Sequence, residues 1–401
     1  MAIPAAAQSV SDAQKARIES DFHAWLDSSV RPAALKAGVS GETFDAATQS
    51  VTLDWSLPDL APPGVPPLKA PQRQPEFADP GRYVAEPNFV ALTGEGRAEL
   101  KTWSKTLDGI ERRFGVPREI VVAIWGRESR FGKAAIPYVA IRALATEAFM
   151  GARKQQFFPE LIAALKIVEG DHIPLAEMKS SWAGAMGLPQ FMPLKYLDNA
   201  VDVDGDGRRD IWKSVPDSLG SIANYLRRHG WAPGRIWGVE VELPAEVPCT
   251  LEGPDQRKSS AEWARLGVRP KGGGQLPADA GEGLHLMAPA GRTGPTFLVS
   301  KNFYVLKEYN ESDLYALFVG HLADRFGGGG PILGRWTTPK GVERSKIAVM
   351  QRRLERDGHD VGTADGLIGF RTRVAVGRWQ ASRGETPTCF PDAAVLKALG
   401  G

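Results

Sequence analysis

The stretch Pro117–Gly132, "PREIVVAIWGRESRFG", decides how the chain is read. Ile120, Ile124 and Glu128 recur at i, i+4 spacing, with Val121 and Trp125 beside them. That spacing predicts a helix with a carboxylate on its apolar stripe. Such an acid is either a structural group tied to a neighbouring Arg127 or Arg130, or a general acid kept protonated by an apolar wall. A glycosidic oxygen leaves poorly until it is protonated, and a neutral carboxylic acid is its usual proton donor.

Working outward, 401 residues have room for more than one domain and for a sizeable core. An apolar fraction of 43% and a charged fraction of 24% describe an ordinary globular chain. A formal charge of +2 gives no sign of nucleic-acid binding, and no apolar run approaches the roughly 20 residues needed to span a bilayer. Cys249 and Cys389 are too few for a disulfide framework and lack metal-site spacing; pairing across domains and two free thiols both remain open. The opening "MAIPAAAQS" is too short for a signal peptide, but its Ala-rich end resembles the tail of one. A removed secretory signal with an added Met1 is the expectation. No lipid-attachment cysteine stands near Met1, so a periplasmic form without an anchor is expected, with outer-membrane association as the alternative.

Along the chain, residues 11–50 read as helical, with Ser11 as N-cap and Ile18, Phe22, Trp25 and Leu26 on one face. Nine prolines between Pro58 and Pro87 predict an extended strap. Residues 88–237 form a mostly helical block, and 238–300 a small β-containing insertion with "GVEVELP", "LHLMAP" and "TFLVS" as strands. Helical periodicity returns over 301–326, with Leu314, Phe318 and Leu322 four apart. "GGGGP" at 327–331 opens a linker to about 340. The last segment, 341–401, reads as a small helical module. Ile347, Met350 and Leu354 share one face of its first helix; Val374, Val376 and Trp379 belong to its second. The fold class is therefore mainly α, with a minor β part.

Three further motifs carry chemistry. "SSWAGAMGLPQFMP" (180–193) interleaves Ala183, Gly184, Ala185 and Gly187 with Trp182, Met186, Phe191 and Gln190. Small residues there admit either a bulky ligand or a close helix contact. "DVDGDGRRD" (202–210) sets Asp202, Asp204 and Asp206 at positions 1, 3 and 5 of a calcium loop, with Gly207 at the turn position. Arg208 is counted among its ligand positions. Lys213 stands where a closing Glu is usual, and Asp217 closes the shell only if the loop is longer than standard. The alternative is an Asp/Gly-rich turn without an ion. Tyr225, Tyr309, Asn310 and Tyr315 become site candidates only in the cleft of Glu128; otherwise they are core.

In order and spacing, "GRESRFG", "SWAGAMGLPQFMP", "AVDVDGDG", "IANYLRRHGW" and "NFYVLKEYN" resemble the lytic transglycosylases of the membrane-bound transglycosylase B type, glycoside hydrolase family 103. The likeness runs, with gaps, from about residue 10 to 325. It implies a lysozyme-like core with a helical N-terminal domain, Glu128 as single acid/base, and Ser181, Gln190, Tyr225, Tyr309, Asn310 and Tyr315 as saccharide-binding positions. It also implies a structural Ca²⁺ on Asp202, Asp204, Asp206, Arg208 and Asp217, and no organic cofactor. One extra residue before Asp217 departs from the family pattern. Residues 341–401 separately resemble the peptidoglycan-binding domain type 1, on "MQRRLERDGHDVGTADGLIGFRTRVAVGRWQ", including Asp365, Gly366 and Thr372. Phe370-Arg371 replaces the usual Pro or Glu before that Thr.

The implied reaction cleaves the β-1,4 bond between N-acetylmuramic acid and N-acetylglucosamine in peptidoglycan strands without water, leaving 1,6-anhydro ends. A hydrolytic muramidase and a non-catalytic wall-binding scaffold are the alternatives.

Overall fold

Ser11 starts the first helix, Asp12–Trp25, with a reciprocal capping box: its hydroxyl and amide engage Gln14, three positions on. The computed structural model describes residues 10–65, 79–279, 281–337 and 343–400. The leader-like opening, the middle of the proline-rich strap and the last part of the 327–340 linker lie outside the described residues.

The chain divides into two compact units, one of residues 1–72, 103–114 and 124–228, the other of 73–102, 115–123 and 229–401. In the first, Asp12–Trp25 runs through a π-turn at Leu26–Val30 into Arg31–Lys36, and Gly41–Thr48 follows behind its N-cap Ser40. Ser40 donates from both its amide and its hydroxyl to Glu169 at 2.9 Å, fastening this helix to the end of Lys154–Glu169. That long helix packs along Ala140–Met150, buried on nearly every side. Ser104–Phe114 lies against Val215–Arg228, and Tyr138–Val139 pairs antiparallel with Lys179–Ser180.

In the second unit, Glu86–Thr102 packs on Asp313–Phe326. A Cβ on Gly96 would come within 2.2 Å of the Phe326 ring, so this approach requires glycine. Arg97 donates to the carbonyls of Arg325 and Phe326, closing the end of the facing helix. The insertion is a four-stranded antiparallel sheet in the order Arg269–Pro270, Gly238–Glu242, Thr296–Val299, His285–Met287. Trp263, Val241, Leu286 and Leu298 fill one face of it. The strand expectations for 238–244, 284–289 and 296–300 all fall on this sheet.

The strap expectation is corrected at its end. Pro80 opens the short helix Pro80–Tyr83, and Pro87 lies in the first turn of Glu86–Thr102. Proline costs nothing in a first turn, where its missing N–H has no partner to lose.

The C-terminal helices Arg344–Arg356, Phe370–Ser382 and Ala393–Ala398 bury Ile347, Met350, Leu354, Val376 and Trp379 together with Ala290 of the insertion. Gln351 holds the turn between the first two: its amide donates to Leu367 and Thr372, and its oxygen accepts from Gly366. Asp365-Gly366 and Thr372 therefore do structural work. A disulfide joins Cys249 to Cys389, settling the pairing left open by the sequence. Beside it Arg373, buried, donates three times to Glu252, at 2.6, 2.9 and 3.2 Å, and once to Asp313 at 3.1 Å.

Candidate active site

Glu128 is the penultimate residue of the helix Arg118–Ser129. The stripe predicted for this helix is not there: every residue from Ile120 to Gly126 is buried, so the segment is core on all sides. Arg127 is exposed, Glu128 half-buried and Ser129 buried. The carboxylate sits where the helix leaves the core, with one side toward solvent.

The next three residues, Arg130, Phe131 and Gly132, all take left-handed backbone, with φ of 49°, 57° and 81°. Ser129 Oγ ties this turn, donating to the Trp125 carbonyl at 3.3 Å and accepting from the Gly132 amide at 3.2 Å.

In the second motif, Ser181 Oγ accepts from the Ala185 amide at 3.1 Å, and Met186 and Phe191 exchange backbone hydrogen bonds across a tight turn. Gln190 is at that turn with a left-handed φ of 53°, its side-chain amide donating to the Gly187 carbonyl at 2.9 Å. A Cβ on Gly184 would lie 2.3 Å from Leu144, and one on Gly187 would lie 2.4 Å from the Ile211 carbonyl. Close packing thus accounts for these two glycines. Tyr225 is buried on Val215–Arg228, 5.8 Å from the Phe191 ring, with the Lys195 ammonium 4.6 Å over its face.

Glu128, Ser181, Gln190 and Tyr225 belong to the first unit; Tyr309, Asn310 and Tyr315 belong to the second. Tyr309 and Tyr315 stack nearly parallel, centroids 6.0 Å apart. Asn310 is exposed at the end of Lys301–Asn310, and Tyr315 stands in the first turn of the next helix, where its amide donates to the cap Ser312.

In the acidic loop, carboxylate oxygens of Asp202, Asp204, Asp206 and Asp217 all lie within 4.8 Å of one another. Gly205 and Gly207, with φ of 80° and 87°, make the turns that gather them. Asp217 reaches in from the following helix despite the extra residue, accepting from Val203 and Asp210 amides at 2.8 and 2.9 Å. Burial, with Asp204 adding repulsion, pushes its carboxyl up to about 6. Four acids so close are the donor set a hard divalent cation takes. Lys213 is paired instead with Glu177, outside the cluster.

Several residues of this neighbourhood escaped the sequence reading. Lys195 gave no signal. Phe131 and Gly132, three and four positions after Glu128, stood in the quoted motif, but only their backbone in the structure shows that the chain turns back there.

Residues 21–324 match the model of the transglycosylase SLT domain, and residues 343–399 that of the putative peptidoglycan binding domain. The membrane-bound lytic murein transglycosylase B of Escherichia coli (strain K12) is 34% identical over 225 residues, 55% of this chain and 60% of that protein. The chain thus spans about 60% of the length of this curated relative. Among solved structures, SltB3 from Pseudomonas aeruginosa in complex with NAG-anhNAM-pentapeptide superposes with a TM-score of 0.83 at 40% identity, over 95% of this chain and 99% of that one. The Escherichia coli lytic transglycosylase Slt35 in complex with calcium gives a TM-score of 0.51 at 29% identity, over 61% and 76%.

Proposed function

Because the chain belongs to the transglycosylase SLT-domain family, we propose that it is a lytic transglycosylase of peptidoglycan, with Glu128 as its single acid and base. The observation that carries this reading is the likeness, over 95% of the chain, to a structure holding an anhydro-muramyl product. Glu128 gives its proton to the bridging oxygen between N-acetylmuramic acid and N-acetylglucosamine, and the C1–O bond breaks. The muramyl N-acetyl group stabilises the electron-poor C1. The ionised Glu128 then takes the proton of the C6 hydroxyl, whose oxygen closes on C1. One bond is lost, one is made, and the carboxylic acid is restored. Ser181, Gln190, Tyr225, Tyr309, Asn310 and Tyr315 hold the saccharide, and the C-terminal module adds a second grip on the polymer.

The acidic loop holds Ca²⁺ on Asp202, Asp204, Asp206 and Asp217, with Arg208 contributing at its ligand position; the clustering of four carboxylates supports this. A bound cation there serves the fold and takes no part in the chemistry. The periplasm is the compartment we assign, supported by the Cys249–Cys389 bridge, which needs an oxidising setting.

The test is digestion of purified sacculi followed by mass analysis. The wild-type chain yields products one water lighter than a muramidase would. Glu128→Gln releases none while still binding sacculi. Hydrated ends, or lysis by the variant, would overturn the reading.

A further inference from the structure

Three residues in succession on left-handed backbone are unusual when two of them are Arg and Phe. Each non-glycine residue there costs on the order of 1 kcal/mol, so something must hold Arg130 and Phe131 in place. The structure shows what does. The Phe131 ring, only 6% exposed, turns back onto the helix that precedes it. It meets Trp125 edge to face, centroids 5.4 Å apart. It also covers Gly126 so closely that a Cβ there would lie 2.6 and 2.7 Å from two ring carbons.

Gly126 is itself out of character. Glycine inside a helix costs about 1 kcal/mol against alanine, and this one lies in a buried stretch where alanine would otherwise be welcome. The ring explains it, since only a bare Cα leaves room. Backbone bonds complete the fold-back: Arg130 donates to Gly126 at 3.0 Å, and Ala134 to Ser129 at 2.9 Å. On the far side, a Cβ on Gly132 would touch Leu188 at 3.0 Å, so the same turn abuts the segment that carries Gln190.

The residues so gripped, 126–129, are the turn from which Glu128 projects. We infer that Gly126 and Phe131 form a latch that fixes the position of the Glu128 carboxyl, making both of them positioning residues for the reaction. The inference rests on Glu128 being the acid/base. Both residues are buried. The ring seated on the bare Cα sets the pitch of the last helical turn, and Gly132 against Leu188 sets where that turn stands relative to Gln190.

The experiment compares Gly126→Ala, Phe131→Ala, Phe131→Leu and the Gly126→Ala/Phe131→Ala pair with wild type and Glu128→Gln. Readouts are kcat and KM on soluble muropeptides, the pH profile of kcat, and thermal melting. Misplacing a reacting group by about 1 Å costs up to roughly 100-fold. Gly126→Ala and Phe131→Ala should each lower kcat by about 10- to 100-fold in folded protein, with KM within about 3-fold. The pair should be no slower than Phe131→Ala alone, because the clash needs the ring. Phe131→Leu should recover part of the rate, and the limbs of the pH profile should move. A folded Phe131→Ala with wild-type kcat overturns the latch even if Gly126→Ala fails to fold; so does a folded Phe131→Leu no faster than Phe131→Ala, or a pair whose losses simply multiply. Activity in Glu128→Gln instead sinks the acid/base reading, a different result from the same plate.

Discussion

The amide of Leu188 donates to the carbonyl of Ile211 at 2.8 Å, and Gly187 closes on that same carbonyl. One peptide group thus ties the turn carrying Gln190 to the acidic loop ending at Asp217. Loosening the loop frees the carbonyl, and the turn loses its footing.

Stripping divalent cations should therefore lower both melting temperature and turnover, and Ca²⁺ should restore both. Saturation at about 100 times Kd stabilises by roughly 2.7 kcal/mol, which calorimetry resolves. Asp204→Asn should weaken the Ca²⁺ effect on melting without changing the fold in its absence. Chelator that alters neither melting nor rate leaves no case for a cation.

Glu147 gives the chain a pH dependence unrelated to catalysis. It is fully buried on Ala140–Met150, and neither carboxyl oxygen has a hydrogen-bond partner among the described residues. Burial, helped by the nearby Asp59 and opposed by Arg153, pushes it up to about 8. The folded state thus binds this proton more tightly than the unfolded chain does. The associated stability is complete below about pH 4.5, the unfolded value, and is lost as pH rises through about 8. Glu147→Gln, which cannot ionise, should flatten that decline. Its Tm should gain on wild type by several degrees between pH 4 and pH 8.5. Parallel Tm profiles would show that Glu147 is already charged in the fold.

At the seat of the C-terminal helices Arg373 bridges Glu252 and Asp313, and Lys307 pairs with the other oxygen of Asp313 at 2.8 Å. Removing one member of a buried charged set costs about 3–5 kcal/mol, here because Glu252 stays behind without its cation while Asp313 keeps Lys307. Arg373→Met should lower stability by that order, and Arg373→Lys should rescue little, since an ammonium cannot make the paired bonds to Glu252. Adding Glu252→Gln to Arg373→Met should return part of the loss. Equal melting of Arg373→Met and wild type would contradict the account.

Much of the fold was legible because local signals agreed with it. Ser11 announced a helix start, alternation announced the strand at 238–242 and a short β-like run the one at 296–299, and Ile347, Met350 and Leu354 shared a buried face as their spacing required. Periodicity failed at Pro117–Gly132 because a helix buried all round has no stripe to display. The strap was drawn too long because prolines were counted without asking which of them open helices. The latch had no compositional signature: left-handed backbone is read from glycine or asparagine, and here arginine and phenylalanine carry it. Asp202, Asp204 and Asp206 were found because their ligand spacing is local, whereas Asp217, a conditional fourth, needed the three-dimensional turn into Val215–Arg228 to bring it in. Glu147 and Arg373 were overlooked, because their helices, "AIRALATEAFM" and "FRTRVAVGRWQ", also carry Arg142, Arg371 and Arg378, and spacing alone does not tell which charge is buried.

The bridge between Cys249 and Cys389 spans 140 positions. While the chain is being made, the first sulfur must wait as a thiol through all of that intervening polypeptide, exposed to any stray oxidant or foreign cysteine. Only a chain extended through Cys389 can satisfy it. Closure is thus a certificate that synthesis has passed that residue. A copy stopped before Cys389 would carry a lone reactive sulfur, chemically distinguishable from a bridged molecule by any quality-control factor that senses thiols.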